Sequence, residues 1–367
     1  MTLFNYNCDC SYSGPLKNNK DSYICPNCQK KWDNENDIII FTDEKNSQTD
    51  VYDDIYSSGY ISIEQKKTNA QTDAYKTHEE LAYSYFKSLG YNLNNDVENL
   101  SILDVACGSG WTTAALFCND KLQNCKIHAF DISISGIKLL KQYLNTQNKS
   151  NSKNHLELSV QDAMNMKFSN NSFDVIIGSS ILHHFDHYEH FLDACFNILK
   201  PSGKAIFGEP FAIGYGIVYS AMKLASIETK VHEKSIDKMY NDSSVRIEKS
   251  GDHMFLEHLV DKHLYLPDEL FEVGRNIGFK KVEIKPLNSL EDIKDELIYD
   301  LYKSMGINGL AGFNVIIPYK KAVIACMERQ KLIKKTIEIY NVFFDMFKSY
   351  FTYNRTLSPF NYVIFQK

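Results

Sequence analysis

The stretch Ile102-Leu103-Asp104-Val105-Ala106-Cys107-Gly108-Ser109-Gly110-Trp111-Thr112 decides the fold. It predicts a buried strand that runs into a glycine-rich turn and then into a helix. Glycines at such a turn let the backbone approach a ligand closely, and the free N–H groups at the start of the helix point towards that ligand. A turn of this kind is typical of proteins that hold a nucleotide-like cofactor, although alone it is a weak signal.

Strands and helices alternate on the C-terminal side of this turn. Short apolar runs predict strands at 101–105, 126–130, 155–160, 173–179 and 204–208. The stretches between them predict helices at 111–118, 133–145 and 187–199. This alternation predicts an α/β fold with a mostly parallel, Rossmann-like sheet and helices on both faces. Two later runs, Val282–Lys285 and Tyr362–Phe365, are candidates for the far edge of the same sheet.

Acidic residues follow the next two predicted strands. Asp131 comes about 20 residues after the glycines, where its carboxylate can accept hydrogen bonds from a ribose diol. Asp162 follows the third strand. Ligands of open α/β sheets bind at the carboxyl ends of the strands, so these polar groups are predicted to converge on one crevice.

This series of motifs resembles the class I S-adenosylmethionine-dependent methyltransferases over about residues 100–210. The likeness is greatest to their small-molecule group, which includes the ubiquinone and menaquinone methyltransferases. It implies S-adenosylmethionine as the cofactor, and around its methionine half it implies Asp104, Ala106, Gly108 and Gly110. For the ribose it implies Asp131 with Ile132 beside it, for the adenine Asp162 and Ala163, and for the floor of the site Ser179. Ala106 departs from the family, which often has glycine at this position.

The competing interpretation is a dinucleotide-binding oxidoreductase. Its fingerprint needs a third glycine or alanine at the position of Thr113, and it requires neither Asp104 nor Asp162. We therefore expect an S-adenosylmethionine-dependent methyltransferase. Two further alternatives are a Rossmann-like sheet without cofactor and a non-catalytic, cofactor-binding scaffold in a complex.

Two histidines and one glutamate are the candidate catalytic residues. His183 and His184 follow the fourth strand, and Glu209 follows the fifth. These strands are neighbours in a sheet of the usual order, and a histidine oriented by a carboxylate is a competent general base. The sequence does not separate the two histidines, and a purely structural role is the alternative. Asp186 and Glu189 predict a capping box for the next helix.

Two helical segments interrupt the α/β pattern, at about 214–250 and about 289–352. They are candidates for a cap over the acceptor, and the apolar wall of such a pocket is predicted from Tyr215, Tyr219, Met222 and Tyr240. Helix-packing core or the face of a homodimer is an equally good interpretation of these side chains. Relatives that methylate planar amide or base nitrogens carry an Asn/Asp-Pro-Pro-Tyr motif after the fourth strand, and this chain has Ser179-Ser180-Ile181-Leu182 there instead.

Residues 1–45 are predicted to form a small zinc-ribbon-like module. Its two cysteine pairs are Cys8-x-Cys10 and Cys25-Pro26-Asn27-Cys28. Four thiolates on two turns predict a closed, structural, tetrahedral zinc site, and a metal-free hairpin is the alternative because the first pair departs from the usual two-residue spacing. The module resembles zinc ribbons that precede some methyltransferase domains, including ribosomal-RNA guanine methyltransferases. The rival function is therefore a ribosomal or transfer RNA methyltransferase that docks RNA through this module.

Composition weighs against RNA as the substrate. The chain has 40 basic and 46 acidic residues, a formal charge of −6, whereas a nucleic-acid footprint is basic. We therefore expect a small-molecule acceptor, whose identity and methylated atom the sequence does not reveal. The sequence shows no bilayer-spanning apolar run and no signal-peptide pattern, so we expect a cytoplasmic protein with reduced cysteines and no membrane partner.

The predicted organisation has three parts. The zinc-ribbon-like module at 1–45 is followed at 46–99 by a polar, tyrosine-dotted linker and a helix from Thr77 to about Leu89. The methyltransferase domain is expected to fill residues 100–367, with the two helical segments as insertions.

Overall fold

The computed structural model describes residues 3–10, 12, 14–42, 47–58, 83–92, 97–146, 153–231, 233–249, 259, 261–286, 319–347 and 360–367. The strands are β1 (Lys17–Asn18), β2 (Ser22–Ile24), β3 (Lys31–Glu35), β4 (Ile38–Ile40), β5 (Val97–Glu98), β6 (Ser101–Val105), β7 (Leu122–Gln123), β8 (Lys126–Asp131), β9 (His155–Val160), β10 (Phe173–Ser179), β11 (Leu199–Pro210), β12 (Lys281–Pro286) and β13 (Phe360–Gln366). The helices are α1 (Ser47–Ser58), α2 (Trp111–Phe117), α3 (Ile134–Thr146), α4 (Tyr188–Ile198), α5 (Ala212–Thr229), α6 (Lys234–Glu248), α7 (Pro267–Ile277) and α8 (Tyr319–Phe347). Residues 83–89 are also helical.

Eleven strands form one sheet, in the order β1-β2-β3-β4-β9-β8-β6-β10-β11-β13-β12. The central strands from β4 to β11 pair in parallel, and β1 to β4 pair as an antiparallel meander. This confirms the predicted α/β class with a mostly parallel sheet, and the two late strand predictions lie at the far edge as β12 and β13. The strand order reverses between β6 and β10, because the chain first adds β8 and β9 on one side and then β10 and β11 on the other.

Helices cover both faces of the parallel part of the sheet. On one face, α2 and α3 pack over the strands in a core that includes Ala129 and Leu140. On the other face, Phe191 of α4 contacts Phe207 of β11, with ring centroids 5.6 Å apart. Phe207 pairs in register with Gly178, Gly178 with Val105, and Val105 with Phe130, so Phe207 and Phe130 lie on the same face of the sheet. Ala129, the neighbour of Phe130 on β8, lies on the opposite face. Successive side chains of each strand therefore pack alternately against the helices on the two faces of the sheet.

The N-terminal cysteine module is built into this sheet. Strand β4 pairs with β9 along its length, with Ile38 opposite Leu158 and Ile40 opposite Val160. Tyr6 contacts the rings of Tyr23, Phe41 and Phe168 at centroid distances of 5.2, 4.9 and 5.7 Å. An edge strand left open at β9 would expose unpaired backbone groups, so the module supplies the pairing that this edge requires.

The chain divides into two compact units. The first holds residues 1–208, 271–283 and 363–367, and the second holds 209–270 and 284–362. In the second unit, α5 packs against α6 and α8 around the fully buried side chains of Val218, Met222 and Leu332. Within the described ranges, no helix combines the length and the apolarity that a bilayer span requires.

Several sequence predictions need correction at the level of elements. Residues 47–58, interpreted as linker, form helix α1. The segment at 214–250 is two helices, because Lys230 ends α5 in the left-handed conformation at φ 58°. Strand β11 begins at Leu199 instead of residue 204. The predicted capping box is wrong, since the N-cap residue of α4 is His187 instead of Asp186, and the His187 side chain makes no capping hydrogen bond.

Two of the predicted helices lie only partly in the described residues. Of the helix from Thr77 to Leu89, residues 83–89 are described. Of the segment at 289–352, residues 319–347 are described and form α8.

Candidate functional site

The candidate site lies at the carboxyl ends of β6, β8, β9 and β10. These strands are parallel neighbours, and the strand order reverses between β6 and β10. Such a reversal opens a crevice in which α/β sheets bind ligands. The predicted cofactor-binding residues all lie in the last residues of these four strands or shortly after them, so the topology brings them to one edge.

The glycine-rich turn after β6 follows a left-handed backbone path, which strains only its alanine. Ala106, Gly108 and Gly110 have φ values of 50°, 55° and 83°. A side chain at Gly110 would come within 2.3 Å of Leu140, so glycine is needed there for the backbone conformation and for the packing of α2 on α3. Alanine at position 106 costs about 1–2 kcal/mol in this left-handed conformation, which explains why the resembled family often has glycine there.

Asp104 is buried at the end of β6 and is 2% exposed. The Thr113 hydroxyl donates a hydrogen bond of 2.5 Å to Asp104 Oδ2. Burial raises the pKa of Asp104 to about 7, the Thr113 hydrogen bond lowers it, and the charge of Asp131 raises it again. Thr113, which departs from the dinucleotide fingerprint, therefore anchors this carboxyl group to α2.

Asp131 joins the end of β8 to the glycine-rich turn. Its Oδ2 accepts a hydrogen bond from the Gly108 N–H at 2.8 Å, and its Oδ1 accepts one from the Ser133 N–H at 2.9 Å. Burial raises the pKa of Asp131 to about 6, although these backbone donors lower it. Ile132, the next residue, is half-buried. The carboxyl group is therefore fixed in place next to the bare backbone of Gly108.

The remaining predicted cofactor residues follow β9 and β10. Asp162 caps the short helical turn Ala163–Asn165, and its Oδ1 accepts from the Met164 N–H at 2.9 Å. Ala163 is buried. Ser179 ends β10 and is exposed, as a residue on the floor of an open site must be.

The two candidate catalytic histidines differ in exposure. His183 is buried and His184 is half-buried, with their ring centroids 4.2 Å apart. The His184 ring also lies edge-on to Tyr52 of α1, at 6.4 Å. Glu209 is fully buried and follows Gly208, the register partner of Ser179, but it begins the second compact unit. The predicted approach of a histidine to Glu209 stays a prediction.

Helix α1 contributes residues that the sequence analysis missed. Asp53 is buried, and its Oδ1 accepts hydrogen bonds from the Ser133 hydroxyl at 2.5 Å and from the Ser135 N–H at 3.1 Å. The signal that could have found this helix is the pair Tyr52 and Tyr56, four residues apart on a helical face. The abundance of polar residues around them favoured a linker instead.

The four predicted zinc ligands lie together. The Sγ atoms of Cys8, Cys10, Cys25 and Cys28 are all within 4.8 Å of one another. Two of the pairs, Cys8–Cys28 and Cys10–Cys25, are 3.5 Å apart. Zinc–sulfur bonds of about 2.3 Å in a tetrahedron place the sulfurs about 3.8 Å apart, so the arrangement fits this metal. A hydrogen bond from the Tyr12 backbone lowers the pKa of Cys10 to about 6, while burial raises that of Cys8 to about 12.

The predicted acceptor wall is found in the core of the second unit. Tyr215, Tyr219 and Met222 are buried there, and Tyr240 packs against the same cluster. Burial raises the pKa of Tyr219 to about 12. Their burial agrees with the helix-packing interpretation, and the acceptor wall stays a prediction.

Comparison with known proteins relates the crevice to one enzyme class. Residues 103–207 match a family model described as a methyltransferase domain. The phthiotriol/phenolphthiotriol dimycocerosates methyltransferase of Mycobacterium leprae is 31% identical over 108 residues, which is 29% of this chain and 37% of that protein. The demethylmenaquinone methyltransferase of Oceanobacillus iheyensis is 28% identical over 186 residues, which is 50% of this chain and 71% of that protein.

Among solved structures, one that this chain matches is the phosphoethanolamine N-methyltransferase 2 of Haemonchus contortus in complex with S-adenosyl-L-methionine. The TM-score is 0.45 at 13% identity, with 86% of this chain and 60% of that chain covered. The chain spans 37% of the length of the first curated relative named above and 71% of the length of the second. The matched residues 103–207 run from β6 into β11 and contain every predicted cofactor-binding residue.

Proposed function

We propose that this chain, whose residues 103–207 belong to a class I S-adenosylmethionine-dependent methyltransferase domain, transfers a methyl group from S-adenosylmethionine to a small-molecule acceptor. The observation that carries the proposal is the link between Asp131 and Gly108, at 2.8 Å. This hydrogen bond fixes the Asp131 carboxylate beside the glycine backbone, at the point where the strand order reverses. That combination suits a ligand with a ribose and a charged amino-acid end.

The residues of the crevice fit this cofactor in chemical type. Asp131 can accept hydrogen bonds from ribose hydroxyls, and the buried Ala163 next to Asp162 offers an apolar surface for an adenine ring. The glycine-rich turn has Gly108 and Gly110 at positive φ, and a turn of this kind lets the methionine part approach the backbone. When bound, the cofactor supplies an electrophilic methyl group on a positively charged sulfur.

The task of the chain is then to align the acceptor and to exclude water. Much of the rate gain in such a transfer comes from orientation inside a dry site. We assign the general base to His184, because it is half-buried at the carboxyl end of β10 whereas His183 is buried. We keep Glu209 as the candidate residue that orients the histidine, because it follows Gly208, the register partner of Ser179.

A small molecule is the acceptor class that we favour. The names of the relatives refer to demethylmenaquinone and to phthiotriol compounds. The acidic net charge of −6 also suits a small acceptor better than RNA. The N-terminal cysteine module, which the rival function would use to dock RNA, extends the sheet through the pairing of β4 with β9.

We further propose that Cys8, Cys10, Cys25 and Cys28 bind one structural zinc ion. The support is the close set of four sulfurs within 4.8 Å. Four protein ligands close the coordination sphere, so this ion would stabilise the fold and take no part in methyl transfer.

A label-transfer assay tests the proposed function. Purified protein is incubated with methyl-labelled S-adenosylmethionine and a cell extract, which is then separated into small metabolites, RNA and protein. We expect label in the metabolite fraction, and none when Asp131→Ala protein is used. Label in RNA would instead establish the rival function, and absence of transfer despite cofactor binding would favour a scaffold.

A further inference from the structure

The segment 161–169, which follows β9, carries the two residues that we place at the adenine, Asp162 and Ala163. We call it the adenine segment. It is closed on itself, because the Gln161 side-chain oxygen accepts a hydrogen bond from the Lys167 N–H at 2.9 Å. Asp162 and Ala163 lie inside this closed turn, so their position depends on what holds Lys167.

The residues before the first cysteine pair hold the end of the adenine segment. One antiparallel bridge joins the two stretches of backbone. The Asn7 N–H donates to the Lys167 carbonyl at 2.6 Å, and the Ser169 N–H donates to the Asn5 carbonyl at 3.1 Å. The Ser169 hydroxyl also donates to Asn7 Oδ1 at 2.8 Å. The N-terminal cysteine module is therefore joined to the adenine segment through backbone and side chains.

The Lys167 ammonium group is buried against an acidic residue of the module. The Lys167 side chain is 5% exposed, and its Nζ pairs with Asp9 Oδ1. Lys30 contacts the other carboxylate oxygen, Asp9 Oδ2, at 3.6 Å. Removing the carboxylate would leave the buried charge of Lys167 uncompensated, which is strongly unfavourable. The position of Lys167 is therefore expected to depend on Asp9.

Asp9 lies between two of the four clustered cysteines. Cys8 and Cys10 directly precede and follow it, and their Sγ atoms belong to the set that lies within 4.8 Å. A metal ion bound to both neighbours would fix the backbone on either side of Asp9. A series of contacts thus leads from the cysteine site through Asp9 and Lys167 to the adenine segment.

We propose that Asp9 and Lys167 are positioning residues for adenine recognition, and that the metal in the cysteine site controls cofactor affinity through them. The inference rests on the proposed function, because it concerns the same cofactor, and on the zinc ion proposed for the four cysteines. Both residues act through the placement of Asp162 and Ala163, and neither is assigned a contact with the cofactor. The metal thus regulates a reaction in which it takes no chemical part.

Binding of S-adenosylhomocysteine to matched variants tests the role of Asp9. Asp9→Asn removes the charge that faces Lys167 and keeps the size of the side chain. Asp33→Asn is the control, because it removes an equal charge that pairs with Lys31 at 2.9 Å on strand β3 of the same module. We expect the dissociation constant to rise about tenfold for Asp9→Asn and less than about twofold for Asp33→Asn, with unchanged zinc content in both.

An analogue of S-adenosylhomocysteine with hypoxanthine in place of adenine separates positioning from a general loss of stability. It has a carbonyl oxygen where adenine has an amino group, so it cannot donate a hydrogen bond to Asp162 from that position. We expect the wild-type protein to prefer S-adenosylhomocysteine about tenfold, and Asp9→Asn to reduce this preference to less than about threefold. A variant that merely folds less well would lose affinity for both ligands equally.

A double variant tests whether Asp9 acts through Lys167. Adding Lys167→Met to Asp9→Asn removes the buried charge that the single variant leaves unpaired. We expect this double variant to bind S-adenosylhomocysteine within about threefold of the wild-type protein. A double variant as weak as Asp9→Asn alone would show that Lys167 is not the link.

Metal removal tests the role of the cysteine site in the wild-type protein. After a chelator has removed the zinc, as verified by elemental analysis, we expect the dissociation constant of S-adenosylhomocysteine to rise about tenfold and added zinc to restore it. Amide hydrogen exchange gives a readout without ligand. We expect chelation to speed exchange more at 167–169 than in β10.

The outcomes separate the inference from the proposed function. Equal affinities of Asp9→Asn and Asp33→Asn, or an unchanged preference between the two ligands, overturn the inference and leave the proposed function standing. Cofactor binding that does not respond to zinc removal overturns the role of the metal. Absence of binding by the zinc-loaded wild-type protein overturns the proposed function and the inference together.

Discussion

The ionisation of Asp131 is expected to link cofactor affinity to pH, if this residue binds the ribose as proposed. Its pKa is raised by burial to about 6, so the carboxyl group is largely protonated at pH 5 and ionised at pH 7. Ribose hydroxyls donate to the ionised form. We expect the affinity for S-adenosylhomocysteine to rise about tenfold between pH 5 and pH 7 and then to level off, as measured by calorimetric titration.

The same raised pKa has the opposite effect on the ligand-free fold. A carboxyl group whose folded pKa exceeds its unfolded value stabilises the protein at low pH, and this contribution is lost as the pH rises through about 6. Asp131→Asn is the control for both effects. An Asn variant that keeps the full rise in affinity would show that another group titrates.

The backbone conformation of Ala106 leads to a second testable prediction. Its φ of 50° is costly for alanine and free for glycine. We expect Ala106→Gly to raise the free energy of unfolding by about 0.5–1 kcal/mol, since the relief of strain exceeds the extra chain entropy of glycine. Urea unfolding measures the change.

Ala115→Gly is the matched control for this substitution. Ala115 lies within α2 and is buried, so glycine there is expected to cost about 1 kcal/mol. Equal losses at both positions would contradict the strained conformation of Ala106.

At the scale of elements, the sequence predicted what local patterns encode. Buried parallel strands read as continuous apolar runs, and β6 and β10 were located within a residue because of this. Helix α1 was missed because its anchor, the contact of Asp53 with Ser133, joins residues 80 positions apart. The clustering of the four cysteines was predicted from spacing, whereas the pairing of β4 with β9 has no local signal.

Strand β4 is predicted to stabilise the whole first unit. Ile39 is 2% exposed in the strand that covers the edge of β9. We expect Ile39→Ala to lower the free energy of unfolding of that unit by about 2–4 kcal/mol, because it leaves a cavity in a packed layer. Ile227→Ala, at a 58% exposed position of α5, is expected to change stability by less than about 0.5 kcal/mol. Similar effects of the two substitutions would mean that β4 is not part of the core.

At the scale of the molecule, the cysteine module and the sheet are expected to unfold together. They share β4, and Asp9, between two of the cysteines, pairs with the buried Lys167 beyond β9. We expect the wild-type protein to hold one zinc ion per chain and Cys25→Ser to lose it, as measured by elemental analysis. Calorimetry should then show a lower midpoint for the first unit as a whole and no separate transition for the module.

Cys195→Ser is the control for this loss. Cys195 is equally buried but belongs to α4, so its substitution should leave the zinc content unchanged. Wild-type protein without zinc, or a Cys25→Ser variant that retains it, would contradict the metal site.

The central claim is that the crevice at the carboxyl ends of β6 and β8 binds the cofactor through Asp131. Calorimetric titration of S-adenosylhomocysteine into wild-type and Asp131→Ala protein tests it most directly. We expect one site per chain in the wild-type protein and a dissociation constant at least about tenfold higher in the variant. Equal affinities, or no binding by the wild-type protein, would contradict the claim.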